Sequence, residues 1–142
     1  MNILFYLVPK AEVVFVSDED TVSKAMETLE ECRYTSVPVL SRNGGYVGTL
    51  REGDILWGLK NAREDVAGAA EKLLVRQLKR YGDNQPVNIN CDMEELLQTA
   101  MNQNFIPVID DHKTFIGIVT RKSIISYCIS QMHPEQETGG AV

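Results

Sequence analysis

The residues that could carry chemistry in this sequence are few, and most spacings argue against catalysis. Glu30-Glu31, Glu94-Glu95 and Asp110-Asp111 are carboxylate pairs in sequence only. Neighbouring residues on a helix point apart, so these pairs form solvated faces or a turn and not an acid/base couple. Cys32, Cys91 and Cys128 are odd in number and lack Cys-x-x-Cys spacing, and His112 and His133 stand away from them. Reduced, buried thiols and no metal site are expected. No Gly-x-Ser-x-Gly, Walker loop or Cys-His constellation occurs, so no enzymatic activity is expected. Arg121-Lys122 opens a helical stretch, where cations oppose the helix dipole. A phosphate partner would compensate them; a solvated surface is the alternative.

Those residues sit inside an internal repeat. Val37-Pro38-Val39-Leu40 matches Ile106-Pro107-Val108-Ile109, and Tyr46-Val47-Gly48 matches Phe115-Ile116-Gly117. The two prolines and the two glycines are each 69 positions apart. Constant spacing across several features marks a duplicated unit. Pattern then gives each unit the order β-α-β-β-α. In the first, a strand at Val14–Val16 precedes a helix from Asp20 or Thr21 to Cys32, with Val22, Ala25, Met26 and Leu29 on one face. A strand at Val37–Leu40 follows, Pro38 suiting an edge or a strand end, then an Asn43-Gly44-Gly45 turn, a strand at Tyr46–Leu50 and a helix at Glu52–Leu59. In the second unit the strands are expected at Val87–Ile89, Phe105–Ile109 and Phe115–Thr120. A helix capped by Asp92 buries Leu96, Leu97, Ala100 and Met101, and a last helix spans Lys122–Gln131. The second unit is shorter, so that Tyr34-Thr35-Ser36 has only Asn104-Phe105 or Phe105 opposite it.

The expected organisation is a packing segment over 1–12, repeat 1 over 13–59, a connecting helical segment over 60–85, repeat 2 over 86–131 and a disordered tail over 132–142. The connecting helix is expected at Ala69–Leu78. Ile3–Val8 is too short for a membrane span and packs on the core or on a second copy. The 44% hydrophobic content suits a packed core, and the net charge of -6 disfavours nucleic acid. A cytoplasmic protein without membrane contact is expected.

The doubled β-α-β-β-α unit, the apolar-Pro-Val signature and the Gly-x-x-Thr-x-x-Asp signature resemble the cystathionine-beta-synthase (CBS) domain pair, in particular the free-standing bacterial type. The resemblance covers residues 13 to 127. It implies an α+β fold in which two repeats pack with pseudo-two-fold symmetry (a Bateman module), two clefts between them, and a homodimer. It implies that the clefts take AMP, ADP, ATP, cyclic di-AMP or S-adenosylmethionine. In that pattern the Gly lets backbone approach a ligand, the Thr and helix N-terminus hold phosphate, and the Asp accepts from ribose hydroxyls; the alternative for Asp54 is the cap or a solvated position of the helix that follows. Adenine lies in a slot between the first strand and the Pro-containing strand. The residues implicated are Val16, Tyr34, Thr35, Ser36, Pro38, Arg51 and Asp54 from the first repeat. From the second they are Ile89, Phe105, Pro107, Thr120, Arg121, Lys122 and Ser123. The signatures depart from the pattern in complementary ways. Gly48-Thr49-Leu50-Arg51-Glu52-Gly53-Asp54 has the Asp but Arg51 for Thr, and Gly117-Ile118-Val119-Thr120-Arg121-Lys122-Ser123 has the Thr but Ser123 for Asp.

The leading expectation is a regulatory adenine-nucleotide sensor without catalysis, acting on a partner protein and using no cofactor besides its ligand. The alternatives are a dimeric interaction scaffold with degenerate clefts, or an S-adenosylmethionine binder.

Overall fold

The computed structural model describes residues 2–133. Its first strand, β1 (Val8–Pro9), is followed by β2 (Val16–Ser17), α1 (Val22–Cys32), β3 (Ser36–Leu40), β4 (Tyr46–Arg51) and α2 (Glu52–Lys60). After α3 (Val66–Lys72) the order recurs as β5 (Val87–Asn88), α4 (Met93–Ala100), β6 (Phe105–Ile109), β7 (Phe115–Thr120) and α5 (Arg121–Met132). Each helix begins where a side chain satisfies an orphan amide. Thr21 accepts from Lys24 N at 3.1 Å, and Asp92 from Glu95 N at 2.8 Å.

The strands form a three-stranded sheet, β2-β3-β4, and a four-stranded sheet, β1-β7-β6-β5. β2 runs parallel to β3 and β5 parallel to β6, with α1 and α4 as the crossovers; both hairpins are antiparallel. Each sheet covers its own core. The first is built on Val22, Ala25, Val37, Val39, Leu50 and Val75, the second on Leu96, Ile106, Val108, Val119 and Ile124. The chain crosses between them: β1 precedes repeat 1 but pairs with β7 of repeat 2. The two hairpin tips also meet, with Phe115 N donating to Gly44 O at 3.0 Å.

Several expectations need correction. The connecting helix starts earlier, at Val66, and stops at Lys72, because the following residues pair with the first repeat instead. Val22 N donates to Leu73 O, and Val75 N and Arg76 N donate to Asp20 O and Asp18 O. Met26 and Met101 are exposed at the rims of their helices. Pro38 lies in the middle strand of its sheet, not on an edge. It escapes the ladder because β2 pairs only with Val39 and Leu40, leaving the Pro38 side open. The cysteines are half-buried and unpaired. Ile3 packs into the second core, whereas Phe5 stays 84% exposed. The tail expected to be disordered lies, from Pro134 on, outside the described residues.

Candidate functional site

The strand registers make the two repeats superimposable residue by residue where it matters. Ser36 faces Arg51 across one hairpin, and Phe105 faces Thr120 across the other. Glu52 N donates to Thr35 O at 3.1 Å, and Arg121 N to Asn104 O at 3.0 Å. Arg51 therefore corresponds to Thr120, Asp54 to Ser123, and Tyr34-Thr35-Ser36 to Gln103-Asn104-Phe105. The expected gap opposite Tyr34 does not exist. The second repeat is short in its helix instead, α4 having 8 residues against 11 in α1.

Six of the implicated residues meet in one cleft between the repeats. Tyr34, Thr35, Ser36, Pro38, Phe105 and Thr120 line a cavity of about 320 Å³, near the lower end of small-molecule sites. The N-terminal arm completes it through Val8, Glu12, Val13 and Val14, with Asn104 and Ile118 from repeat 2. Among the described residues lining it, Glu12 alone is charged. Thr120 caps α5: its hydroxyl accepts from Ser123 N at 3.2 Å and lies 2.9 Å from the Ser123 hydroxyl. Arg121 turns away, its Nε donating to Ala100 O at 3.0 Å and Gln103 O at 3.1 Å; Lys122 is exposed on the outer side of the first turn.

The pseudo-equivalent cleft is filled by the chain itself. The segment Arg80–Gln85, which precedes repeat 2, lies along the end of β4. Asp83 Oδ1 accepts from Thr49 N at 2.9 Å and from Arg80 Nε at 2.8 Å. Asn84 N donates to the Thr49 hydroxyl at 3.0 Å, and the Tyr46 hydroxyl donates to Asn84 O at 2.7 Å. Arg51 reaches across with Nη2 to Asn84 Oδ1 at 2.8 Å and with Nη1 to Gly82 O. Asn84 Nδ2 donates to Phe105 O, and Gln103 bridges both polar atoms of the Gln85 backbone.

Asp54, expected to receive a ribose, is 4% exposed. Its Oδ2 accepts from Arg51 N at 3.0 Å as the cap of α2, and its Oδ1 accepts from Tyr81 N at 3.3 Å. Thr49, Asp54, Asn84 and Gln103 are the buried polar side chains of the described chain, and all four belong to this network. No buried side-chain polar atom among the described residues lacks a partner.

Electrostatics follow the packing. Burial pushes the Tyr46 phenol up to about 12, against the lowering effect of the Thr49 hydroxyl. Burial also works to raise the Asp83 carboxyl, but hydrogen bonds from Arg80 and Thr49 N and the charges of Arg80 and Arg51 hold it below its ordinary value. The Asp83 hydrogen bond raises the Arg80 guanidinium.

The signature glycines make room for the chain itself, Gly48 for the Asp83 and Arg80 side chains and Gly117 for the Val8 backbone. A Cβ on Gly48 would stand 2.4 Å from Asp83 Oδ1, and one on Gly117 would stand 2.1 Å from Val8 O. No real Cβ tolerates either approach, so each glycine admits the segment that crosses over from the other repeat.

The CBS domain model matches residues 7–61 and 83–130. The chain belongs to the CBS domain family. The first matched segment takes in β1, which pairs with β7 in the sheet of the second. Among solved structures, the chain is similar to CbpB in complex with c-di-AMP, at 25% identity and a TM-score of 0.84. That match covers 97% of this chain and 91% of the other. It is also similar to CbpB from Streptococcus agalactiae, at 26% identity and a TM-score of 0.79, over 93% of this chain and 82% of that one. Inosine-5'-monophosphate dehydrogenase of Methanocaldococcus jannaschii is 23% identical over 121 residues, 80% of this chain. The chain spans less than half the length of the curated relatives it matches.

The remaining implicated residues do not reach the open cleft of this CBS pair. Val16 is 2% exposed and Ile89 packs on the second core, so neither lines this cavity. Val13 and Val14 of the arm line the cleft instead of Val16. Pro107 is buried across its hairpin from Ile118, whereas Pro38 lines the open cleft. The sequence reading missed Glu12, Asn84, Gln103 and Asn104. The one available signal was the 69-residue offset, which places Gln103 and Asn104 opposite Tyr34 and Thr35.

Proposed function

We propose that the chain is a regulatory sensor that binds an adenine nucleotide, of the AMP or cyclic di-AMP class, in the Thr120 cleft and catalyses no reaction on it. The observation that carries this reading is the open cleft between the repeats, with apolar walls at Val13, Val14, Pro38 and Ile118 and hydroxyls at Tyr34, Thr35, Ser36 and Thr120. Apolar walls suit a base, and convergent hydroxyls suit ribose and phosphate oxygens. The c-di-AMP complex of the similar CbpB supports the same ligand class. The described residues lining the cleft include no cation, which favours a nucleotide of low charge over ATP. Occupancy would be passed to a partner protein by a homodimer. Exposed Leu56 and Trp57 on α2 and Ile125 and Ile129 on α5 support such pairing.

A second reading, S-adenosylmethionine, is favoured by Glu12, whose carboxylate at the cleft suits a cationic ligand. A thermal-shift series with AMP, ADP, ATP, cyclic di-AMP and S-adenosylmethionine separates the two. A ligand at a hundredfold excess over its Kd stabilises by about 2.7 kcal/mol, about 9 °C for a chain of this length. A rise with AMP or cyclic di-AMP supports the nucleotide sensor, and a rise with S-adenosylmethionine alone supports the second reading. No rise with any of the five leaves an interaction scaffold.

A further inference from the structure

The two clefts share one backbone plan, yet one is open and the other is crossed by Arg80–Gln85 and the Arg51 side chain. Arg51 and Thr120 occupy the same place in that plan. Each ends the return strand of its hairpin, faces the first residue of the Pro-containing strand and caps the helix that follows. Thr120 spends its short side chain on that cap and leaves the space in front of it free. Arg51 instead sends a guanidinium across the cleft to Gly82 O and Asn84 Oδ1.

Both contacts fall on the segment that precedes repeat 2. That segment then meets every group a ligand would need. Asp83 takes the Thr49 amide, Tyr81 N takes the Asp54 carboxylate, and Asn84 takes the Thr49 and Tyr46 hydroxyls. On the opposite wall Gln103 holds Gln85, whereas its counterpart Tyr34 lies 51% exposed at the open cleft.

We propose that Arg51 is the specificity-determining residue that closes the first cleft, making Arg80–Gln85 its permanent occupant and leaving the chain one nucleotide site. The closure stands on the contacts above; the number of sites also rests on reading the Thr120 cleft as a nucleotide site. The chemistry supports permanence. The occupant is tied by a carboxylate, a guanidinium and backbone amides at once, and it is already at the effective concentration of a covalently attached ligand. A free nucleotide competing for Asp54 would have to break Tyr81 N from it and expose the buried Thr49 amide.

Hydrogen–deuterium exchange on the full chain tests this. In the ligand-free protein the amides of Thr49, Tyr81 and Asn84 should exchange slowly, although Tyr81 and its neighbours lie in no helix or strand. Arg51→Thr should speed exchange at Tyr81 and Asn84 by about tenfold or more, while Val108 and Val119 in the second core remain protected. Fast exchange at Tyr81 and Asn84 in the native chain, or none gained in Arg51→Thr, overturns the closure. Should Arg51→Thr lose protection throughout, native-chain titration decides. Saturating AMP or cyclic di-AMP should slow exchange at 34–38 and 104–105 and leave 48–54 and 80–85 unchanged. Slowing at 80–85 refutes a single site. If neither probe changes any amide, the sensor reading fails for these nucleotides, while slow Tyr81 and Asn84 exchange in the free chain still upholds the closure.

Discussion

Asp83→Ala is the most direct probe of how strongly the filled cleft holds the two repeats together. The Asp83 carboxylate accepts from the Thr49 amide at 2.9 Å and pairs with Arg80 at 2.8 Å. Thr49 is fully buried, so alanine strands its N–H without water. A lost hydrogen bond to a charged group costs about 1.5–3 kcal/mol. The Arg80 pair is partly exposed and adds about 0.2–1 kcal/mol. The sum is about 2–4 kcal/mol. Unfolding entropy near 2.1 cal/mol/K per residue gives about 0.3 kcal/mol/K for this chain, so Tm should fall by about 7–13 °C. Asp83→Asn keeps an acceptor for Thr49 N and should lose less than half of that.

The loss should depend on pH. The folded carboxyl titrates below its ordinary 3.8. Its contribution is therefore complete above that value and fades as pH falls through the lower folded pKa. The gap between wild type and Asp83→Ala should be full at pH 7 and should narrow below about pH 3.8. Calorimetric scans of the three proteins from pH 7 to pH 3 measure it. A Tm difference under about 2 °C at pH 7, or a gap that does not shrink in acid, would refute the reasoning.

Thr35→Trp places an indole in the open cleft from an exposed position, so it should abolish any AMP- or cyclic di-AMP-induced thermal shift while moving the ligand-free Tm little; a retained shift would locate the ligand elsewhere. Leu56→Glu, on a residue 58% exposed beside the apolar surface between α1 and α2, should convert the expected dimer to a monomer in light scattering at tens of micromolar. Ultraviolet titration should show a phenol ionising near 12 that Tyr46→Phe removes. Because its folded pKa is raised, its stabilising effect is present below the ordinary 10.0 and is lost as pH rises from there, which alkaline unfolding scans would register.

The repeated elements were legible because hydrophobic pattern and turn chemistry agree there. Phe105–Ile109 and Phe115–Thr120 were read to the residue, since an unbroken apolar run, a polar turn and an aromatic restart leave little freedom. The crossing segments were not legible. Val8–Pro9 pairs with the repeat it does not precede and Arg80–Gln85 bridges both repeats, and no local period reports partners so distant in sequence. Asp54 was assigned by motif to a ribose, yet the same spacing that would offer it to a sugar also caps α2 and catches Tyr81 N. Arg121 and Lys122 looked like phosphate ligands because they open a helix. The structure relieves Arg121 otherwise, through the carbonyls at the end of α4.

The filled and open clefts are not independent features, because Phe105 belongs to both. Its carbonyl accepts from Asn84 Nδ2 and from Gln103 Nε2, each at 3.1 Å, while the residue lines the open cleft. A fully satisfied buried network holds its members in one arrangement. The carbonyl of Phe105 is thus fixed from the filled side before any ligand arrives, and Asn104, the next residue back, is held through Arg121 N. A wall ordered in advance need not be ordered on binding, which removes part of the entropic cost that a flexible cleft of this size would carry. Loosening the filled cleft should therefore weaken nucleotide binding at the open one without touching any residue that lines it. The two repeats divide the work: the first supplies rigidity through Arg51, and the second keeps the space in front of Thr120.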